Sequence, residues 1–540
     1  MLGLGTGINK LSAAEAAAIA GRLPGFTGLL DETFGATAEA AYSVRQLSGS
    51  QSVAMTIRRD SDNAETGIGF DSNGNLDEAA IETFCTGTVC KVSSWKDQSG
   101  NGNDATQSTA ANQPTIYTGG QLVKEGGRLA LNFDITDRLT NSMSVINQPI
   151  TVFNILSVEN YGAVNYAFDS GYTTGDRVFI GVNTSNDWRY FAGSTINTST
   201  SVAFEQTVLT GLFDSGNSEF FLNGLSVSTG NAGSNGLSDL VIGNKNDGTN
   251  FSIYGNMQEL ILYDADKSSD RTDIEENIGD YYTQNTPLLD TYTGAAAAYS
   301  LRKIRSDYSG NAVKVRRASD NVEADIGFNV FKELDTVALA AHCGSSDGFV
   351  SVWYDQSSSN NATQTTAANQ PKIYDGTTGV ITESGKPSMD MSAGLCHLYY
   401  DSVVLSQPLS FFMTGNNGSQ NYAAFFDSYN DTTNRVRFFD GGLIRDVSAG
   451  TSLSYTSSSN VYAVRSAIVD STNSSVHFNG SQKASGDAGT NDYRFGRIGN
   501  FNASNGTQIG KLQEFIIYES NQSDNRTDIE DNINTFYNIY

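Results

Sequence analysis

One near-repeat constrains this chain more than any other feature. "WKDQSGNGNDATQSTAANQP", from Trp95, returns as "WYDQSSSNNATQTTAANQP", from Trp353. Asp97 and Asp355 stand 258 residues apart, and so do Ser61 and Ser319. Further landmarks follow in the same order. "AYSVR" from Ala41 matches "AYSLR" from Ala298, and "IRRDSDNAETGIGF" from Ile57 matches "VRRASDNVEADIGF" from Val315. "FLNG" from Phe221 matches "HFNG" from His477. "MQELILYDADKSSDRTDIEENI" from Met257 matches "LQEFIIYESNQSDNRTDIEDNI" from Leu512. Ordered landmarks over so long a period require two homologous domains, not a short-period solenoid. At 540 residues the chain also exceeds what one hydrophobic core organises. The expected division is an arm with a helix over 1–40, then domains over 41–288 and 289–540.

Each copy carries period-2 apolar runs bounded by Gly, Asn and Ser turns. Val152 to Val158, Glu219 to Leu222, Leu240 to Ile242 and Leu260 to Tyr263 read as strands. Short helices are expected over Leu76 to Phe84 and after Asp270 and Asn525, where "RTDIE" puts acids in a first turn. Many strands and few helices give an all-β chain: two tandem jelly-roll β-sandwiches behind an N-terminal arm. In the arm, "SAAEAAAIAGRL" reads as a helix capped by Ser12 and Glu15. Its Ala16, Ile19, Ala20 and Leu23 form a narrow face suited to another chain.

The formal net charge of −26 makes nucleic acid and anionic lipid poor partners. No apolar run is long enough to span a bilayer. The start lacks the basic and apolar regions of a signal peptide. His342, His397 and His477 are the only histidines and share no ligand spacing, so neither a zinc site nor a Ser-His-Asp triad is expected. Without an Asp-x-Asp-x-Asp-Gly loop no Ca2+ ligand set can be assigned, and no cofactor is expected. Cys85 and Cys90 in "FCTGTVC" are close enough for a small disulfide loop. Cys343 aligns with Cys85, but Gly348 aligns with Cys90.

The repeated loop itself follows an alternating strand. Its Asp, Gln, Ser, Gly and Asn side chains can bond their own backbone, so it reads first as a structural corner closing each sandwich. As a carbohydrate-binding site it offers Trp95, Asp97, Asn101, Asn103 and Gln107, with Trp353 and Asp355 in the second copy. Trp188 in "NDWRYF" is a further candidate for stacking on a sugar.

The closing part of each copy, "FFLNGLSVSTG … LVIGN … GNMQELILYDADKSSDRTDIEENI", resembles concanavalin A-like, laminin G-type jelly rolls. The front part, "IRRDSDNAETGIGF … LDEAAIETFCTGTVCKVSSWKDQSGNGNDATQ", is similar to the catalytic domain of α-L-arabinofuranosidase B. That resemblance covers Cys85, Cys90 and the "DQSGNGN" turn, and it implies a retaining glycosidase, which needs two carboxylates. In that family the catalytic carboxylates lie further along than the matching stretch, and no equivalent pair can be placed here: "RVFIGVN" from Arg177 and "RVRFFDGG" from Arg435 carry no Glu. With the Met1 to Asn9 arm, the combination also resembles structural proteins of tailed phages. The expectation drawn here is therefore a non-enzymatic virion component: a capsid decoration, fibre or tail appendage on the particle's outer surface. It would bind other virion proteins through residues 1–24, form homo-oligomers in the particle and engage a host-surface glycan. The alternatives are a glycoside hydrolase acting on arabinose-containing polysaccharide and a cellular lectin-like adhesin.

Overall fold

Strand pairing sorts each copy into two stacked antiparallel sheets. A computed structural model describes residues 27–540, apart from 33, 135, 160–163, 172–175, 203–205, 246–250, 283–286, 393–394, 420–422, 429–434, 441–444 and 500–508. The expected arm helix and its docking face lie outside the described residues. Contacts divide the chain into two compact units, up to 284 and from 285.

In the first unit, one sheet runs from Ala38–Ser43 and Leu131–Phe133, both against Gly255–Tyr263, through Ile150–Val158, Thr207–Phe213 and Ser218–Leu222 to Leu225–Gly230. The longer sheet runs Glu65–Gly69, Val53–Arg59, Cys90–Trp95, Ala105–Thr106, Leu139–Asn141, Leu240–Ile242, Asn165–Asp169, Phe179–Val182, Asp187–Phe191, Thr195–Ser201. Thr115–Thr118 pairs with a strand of each and joins them at one edge.

The second unit repeats this order. Ala295–Ser300 pairs with Lys511–Tyr518, then come Leu409–Asn416, Tyr462–Val469, Ser474–Phe478 and Ser481–Gly486. Its longer sheet runs Glu323–Ile326, Val313–Arg317, Gly348–Trp353, Ala362–Thr363, Leu398–Leu405, Tyr493–Ile498, Ala424–Ser428, Arg437–Asp440, Arg445–Ser448, Ser452–Ser454. The all-β, two-sandwich expectation is met.

The central strands of the shorter sheets are buried along their whole length because both faces are covered. Ile150–Val158 and Gly255–Tyr263 show no exposed residue. In the second unit Phe411, Met413 and Phe515 turn into the core between the sheets. Phe412, Val464 and Ile516 turn the other way, onto Ile529, Ile533 and Tyr537 of the closing helix Arg526–Tyr537. Ile274, Ile278 and Tyr282 take the same spacing on the helix Arg271–Tyr282. A period of four residues keeps one helical stripe on the sheet. Each closing helix also covers a buried ion pair. Arg45 donates to both oxygens of Glu259, beside Ser43 and Tyr282, and Arg302 does the same to Glu514, beside Ser300 and Tyr537.

The helix Glu78–Phe84 is capped by the Asp77 carboxylate, which accepts from the Ala80 amide. Cys85 and Cys90 are disulfide-bonded and tie its end to the strand Cys90–Trp95. Cys343 is a free, buried thiol, and Cys396 is also buried.

Candidate functional site

The repeated loop is a load of hydrogen bonds turned inward. Asp97 accepts from the amides of Ala41, Ser99 and Asn103 and from the Ser99 hydroxyl. Asn101 and Asn103 donate to backbone carbonyls at Ala38 and Glu39. Gln107 donates to the Arg138 carbonyl and accepts from the Thr109 amide. Asp355 repeats the role, accepting from the amides of Ala298, Ser357 and Asn360. The loop thus pins the longer sheet to the first strand of the shorter one. Gly100 and Gly102 hold φ of 91° and 79°, which glycine alone adopts readily. The second copy is one residue shorter between its Asp and Asn and turns without them. The corner reading accounts for these residues. As a carbohydrate site they fall short, because their polar atoms are already spent on the protein itself.

The tryptophans correct the stacking expectation. Trp95 and Trp353 are fully buried and Trp188 is 2% exposed, so no indole face is open to a sugar. Trp95 and Trp353 pack on Tyr42 and Tyr299 in the core. Trp188 faces inward because it alternates with Arg189 on a strand whose opposite side is outward.

The opposite side of the longer sheet carries an arginine–aspartate cluster whose acids are Asp, not Glu. In the first unit it gathers Tyr166, Phe179, Phe191, Arg177 and Arg189 around Asp169. Arg177 grips the Asp169 carboxylate with two bonds of 2.8 and 2.9 Å. Arg189 donates to the Tyr166 hydroxyl at 2.9 Å and lies over the Phe179 ring. Phe179 stacks on Phe191, with ring centroids 5.0 Å apart. Asp169 is flanked across the sheet by Phe179 and Val241.

In the second unit Asp427 takes the place of Asp169, and Arg435 grips it at 2.6 and 2.7 Å. Its cross-strand neighbours are now Arg437 and Arg497. Burial pushes the Asp427 carboxyl up, and Arg435, Arg437 and Arg497 oppose that. Arg437 also bonds Asp446 at 3.0 Å, which is 5% exposed and keeps one buried oxygen without a partner. The arginine–tyrosine contact is rebuilt on other strands, with Arg497 donating to Tyr399 at 2.8 Å. Asp169, Asp427 and Arg497 are themselves fully buried beneath this face. Chemically, planar guanidinium and carboxylate groups can fix hydroxyls, and rings can cover apolar sugar faces. A signal for it was present in the sequence. "FDS" at Phe168 and Phe426 is followed, eight residues after each Asp, by Arg177 and Arg435.

Among the described residues no three metal-ligating side chains cluster, and no helix is long and apolar enough to cross a membrane.

The family model "Alpha-L-arabinofuranosidase B, catalytic" matches the chain twice, over residues 32–136 and 281–389. These are the front parts of the two units. No curated protein matches. Among solved structures, an arabinofuranosidase complexed with arabinofuranosyl-α-1,2-xylobiose is 15% identical. It covers 62% of this chain and 80% of its own, with a TM-score of 0.37. A GH54 α-L-arabinofuranosidase soaked with a cyclic sulfate inhibitor is 17% identical, covering 65% and 80%, at 0.38. Mouse laminin α1 chain domains LG4-5 are 7% identical, covering 70% and 85%, at 0.23. Scores at this level bear on neither site nor function.

The repeated family match overturns the expected non-enzymatic virion component. Nothing found supports a phage particle, while both copies align with the catalytic domain of a glycosidase family. A short glycine-rich arm is of low complexity and resembles many things, so it cannot outweigh a match that recurs in both copies.

Proposed function

We propose that this chain is a glycoside hydrolase of the arabinofuranosidase type, acting on arabinofuranose-containing polysaccharide. The observation that carries the reading is the match of both front parts to the catalytic-domain family model. The working surface in this proposal is the outward face of the second unit's longer sheet. Glycoside cleavage passes through a transition state with positive charge on the sugar, and it needs an acid to protonate the leaving oxygen. Asp427, held by Arg435, supplies a fixed negative charge beneath the sugar. Asp446, with one oxygen bonded by Arg437 and the other without a partner, is the candidate acid–base group. Arg437, part-exposed beside Asp446, orients hydroxyls, and the buried Arg497 stands behind Asp427 and holds Tyr399. The first unit has Arg189 at the position of Asp446, so in this reading its face binds glycan without cleaving it.

The test is release of nitrophenol from 4-nitrophenyl α-L-arabinofuranoside and of arabinose from arabinan. Asp446→Asn is expected to lower kcat about 100-fold or more. Sugar binding with no release from any arabinofuranoside would refute hydrolysis, and activity undiminished in Asp446→Asn would refute the site.

A further inference from the structure

The second unit has a cavity of about 440 Å³ away from that face, lined by Thr456, Ser457, Ser458, Asn479, Ser481 and Lys483 around Phe478. It lies at the edge made by the strands Tyr462–Val469, Ser474–Phe478 and Ser481–Gly486, beneath the segment 455–461. We propose that this cavity binds an acidic monosaccharide unit, a uronate, of a polysaccharide chain.

Three observations support the assignment. The segment that forms the wall is fixed at both ends. The Tyr455 hydroxyl donates to the Phe439 carbonyl. Asn417 accepts from the Val461 amide at 2.7 Å and donates to the Ser458 carbonyl at 2.7 Å. Arg465, fully buried and paired with Asp440, donates to the carbonyls of Val461, Ala463 and Gly415. A wall held this way loses little freedom when a ligand arrives, which is how preorganised sites gain affinity.

The lining chemistry is the second. Four hydroxyls and an amide suit a ring of sugar hydroxyls, Val461, Ala463 and Phe478 offer an apolar wall for the ring's face, and the volume is that of a small-ligand site. The third is charge. Lys483 is exposed, its ammonium 5.8 Å from the Phe478 ring centroid, and it makes no ion pair with a described residue. In a chain of net charge −26 a lysine without an ion pair to a described residue, beside a hydroxyl-lined cavity, favours a carboxylate. Among the described residues the first unit keeps Asn223 at the place of Asn479 but not the others. Leu222, Leu225 and Val227 stand where the second has Phe478, Ser481 and Lys483, and Leu209 replaces Arg465.

The assignment rests on the cavity and not on hydrolysis. Calorimetry on the full chain with glucuronate, galacturonate, glucose and arabinose tests it. Both uronates should bind and glucose should bind at least tenfold more weakly. Lys483→Met should weaken uronate binding about tenfold, and Ser481→Trp, which fills the cavity, should abolish it. Absence of uronate binding, equal affinity for glucose, or full affinity in Lys483→Met would overturn the proposal. Lys483 is on an exposed strand, so that variant serves even where Ser481→Trp does not fold. Arabinofuranoside hydrolysis measured on Lys483→Met keeps this proposal separable from the hydrolase reading.

Discussion

At corresponding positions the first unit buries Val182 and Leu209, and the second buries Asp440 paired with Arg465. On the outward face the first unit flanks Asp169 with Phe179 and Val241, while the second flanks Asp427 with Arg437 and Arg497. Yet the Asp97 and Asp355 corners and the Arg45–Glu259 and Arg302–Glu514 pairs are the same in both. The contrast separates what the fold requires from what it tolerates. Corners and anchors close the sheets and have no substitute. A strand interior accepts either an apolar pair or a fully bonded ionic one, so that position is free to serve the surface next to it.

The largest expected effect breaks the ionic pair. Asp440→Ala leaves the Arg465 charge buried and unpaired, and should cost the second unit about 3–5 kcal/mol. The double change Asp440→Val with Arg465→Leu copies the first unit and should be neutral or stabilising, because no charge is then desolvated. Thermal unfolding of the full chain distinguishes them. A double variant as unstable as the single one would show that Arg465 is needed for the 455–461 segment as well.

Next in size is the face itself. Asp446→Asn should reduce arabinofuranoside turnover about 100-fold, near 2.7 kcal/mol of barrier. Removing the corresponding charge from the first unit is impossible, since Arg189 stands there. Turnover surviving in Asp446→Asn would place hydrolysis elsewhere and weaken the division of labour between the faces.

A third contrast sits at Asp137, whose place in the second unit is held by Cys396. Burial pushes the Asp137 carboxyl up to about 6. The unfolded value is about 3.9, so between the two the folded state holds the extra proton. Stability should therefore fall as pH rises from about 4 to about 6, by roughly 2–3 kcal/mol at most. Asp137→Asn should flatten that dependence in unfolding midpoints taken from pH 4 to 7.5. An unchanged profile would mean that a neighbour compensates the charge.

The smallest effect concerns the cysteines. Removing the Cys85–Cys90 link, which closes a short loop, should cost the first unit about 2 kcal/mol. A Cβ built at Gly348 would lie 2.6 Å from the Cys343 sulfur, with Tyr374 and Val315 at 3.1 Å. Gly348→Cys should form a disulfide with Cys343, detected by mass after alkylation, and raise the second unit's midpoint slightly. A free thiol there would show that Tyr374 and Val315 do not give way.

Much of this protein is written locally. The duplication, the strand Leu240–Ile242 and the closing helices follow from landmark spacing, alternation and capping residues, which act over a few positions. The disulfide partners were close in sequence. The Asp97 corner was legible because Asx and Ser side chains bond neighbouring backbone. The burial of the tryptophans was not, because Trp188 and its neighbours alternate between core and surface, and only the second sheet decides which side is inside.

What the sequence by itself determined was two copies of one β-sandwich, their turns and their helical lids, since periodicity and local hydrogen bonding set those. What only the tertiary structure decided was which polar residues meet. Asp427, Arg437 and Asp446 lie on three successive strands, but Arg497 joins them from Tyr493–Ile498, far along the chain, and Arg465 reaches Asp440 across the sandwich. Contacts of that kind depend on strand order and register, and a shift of one residue would send each side chain to the opposite face.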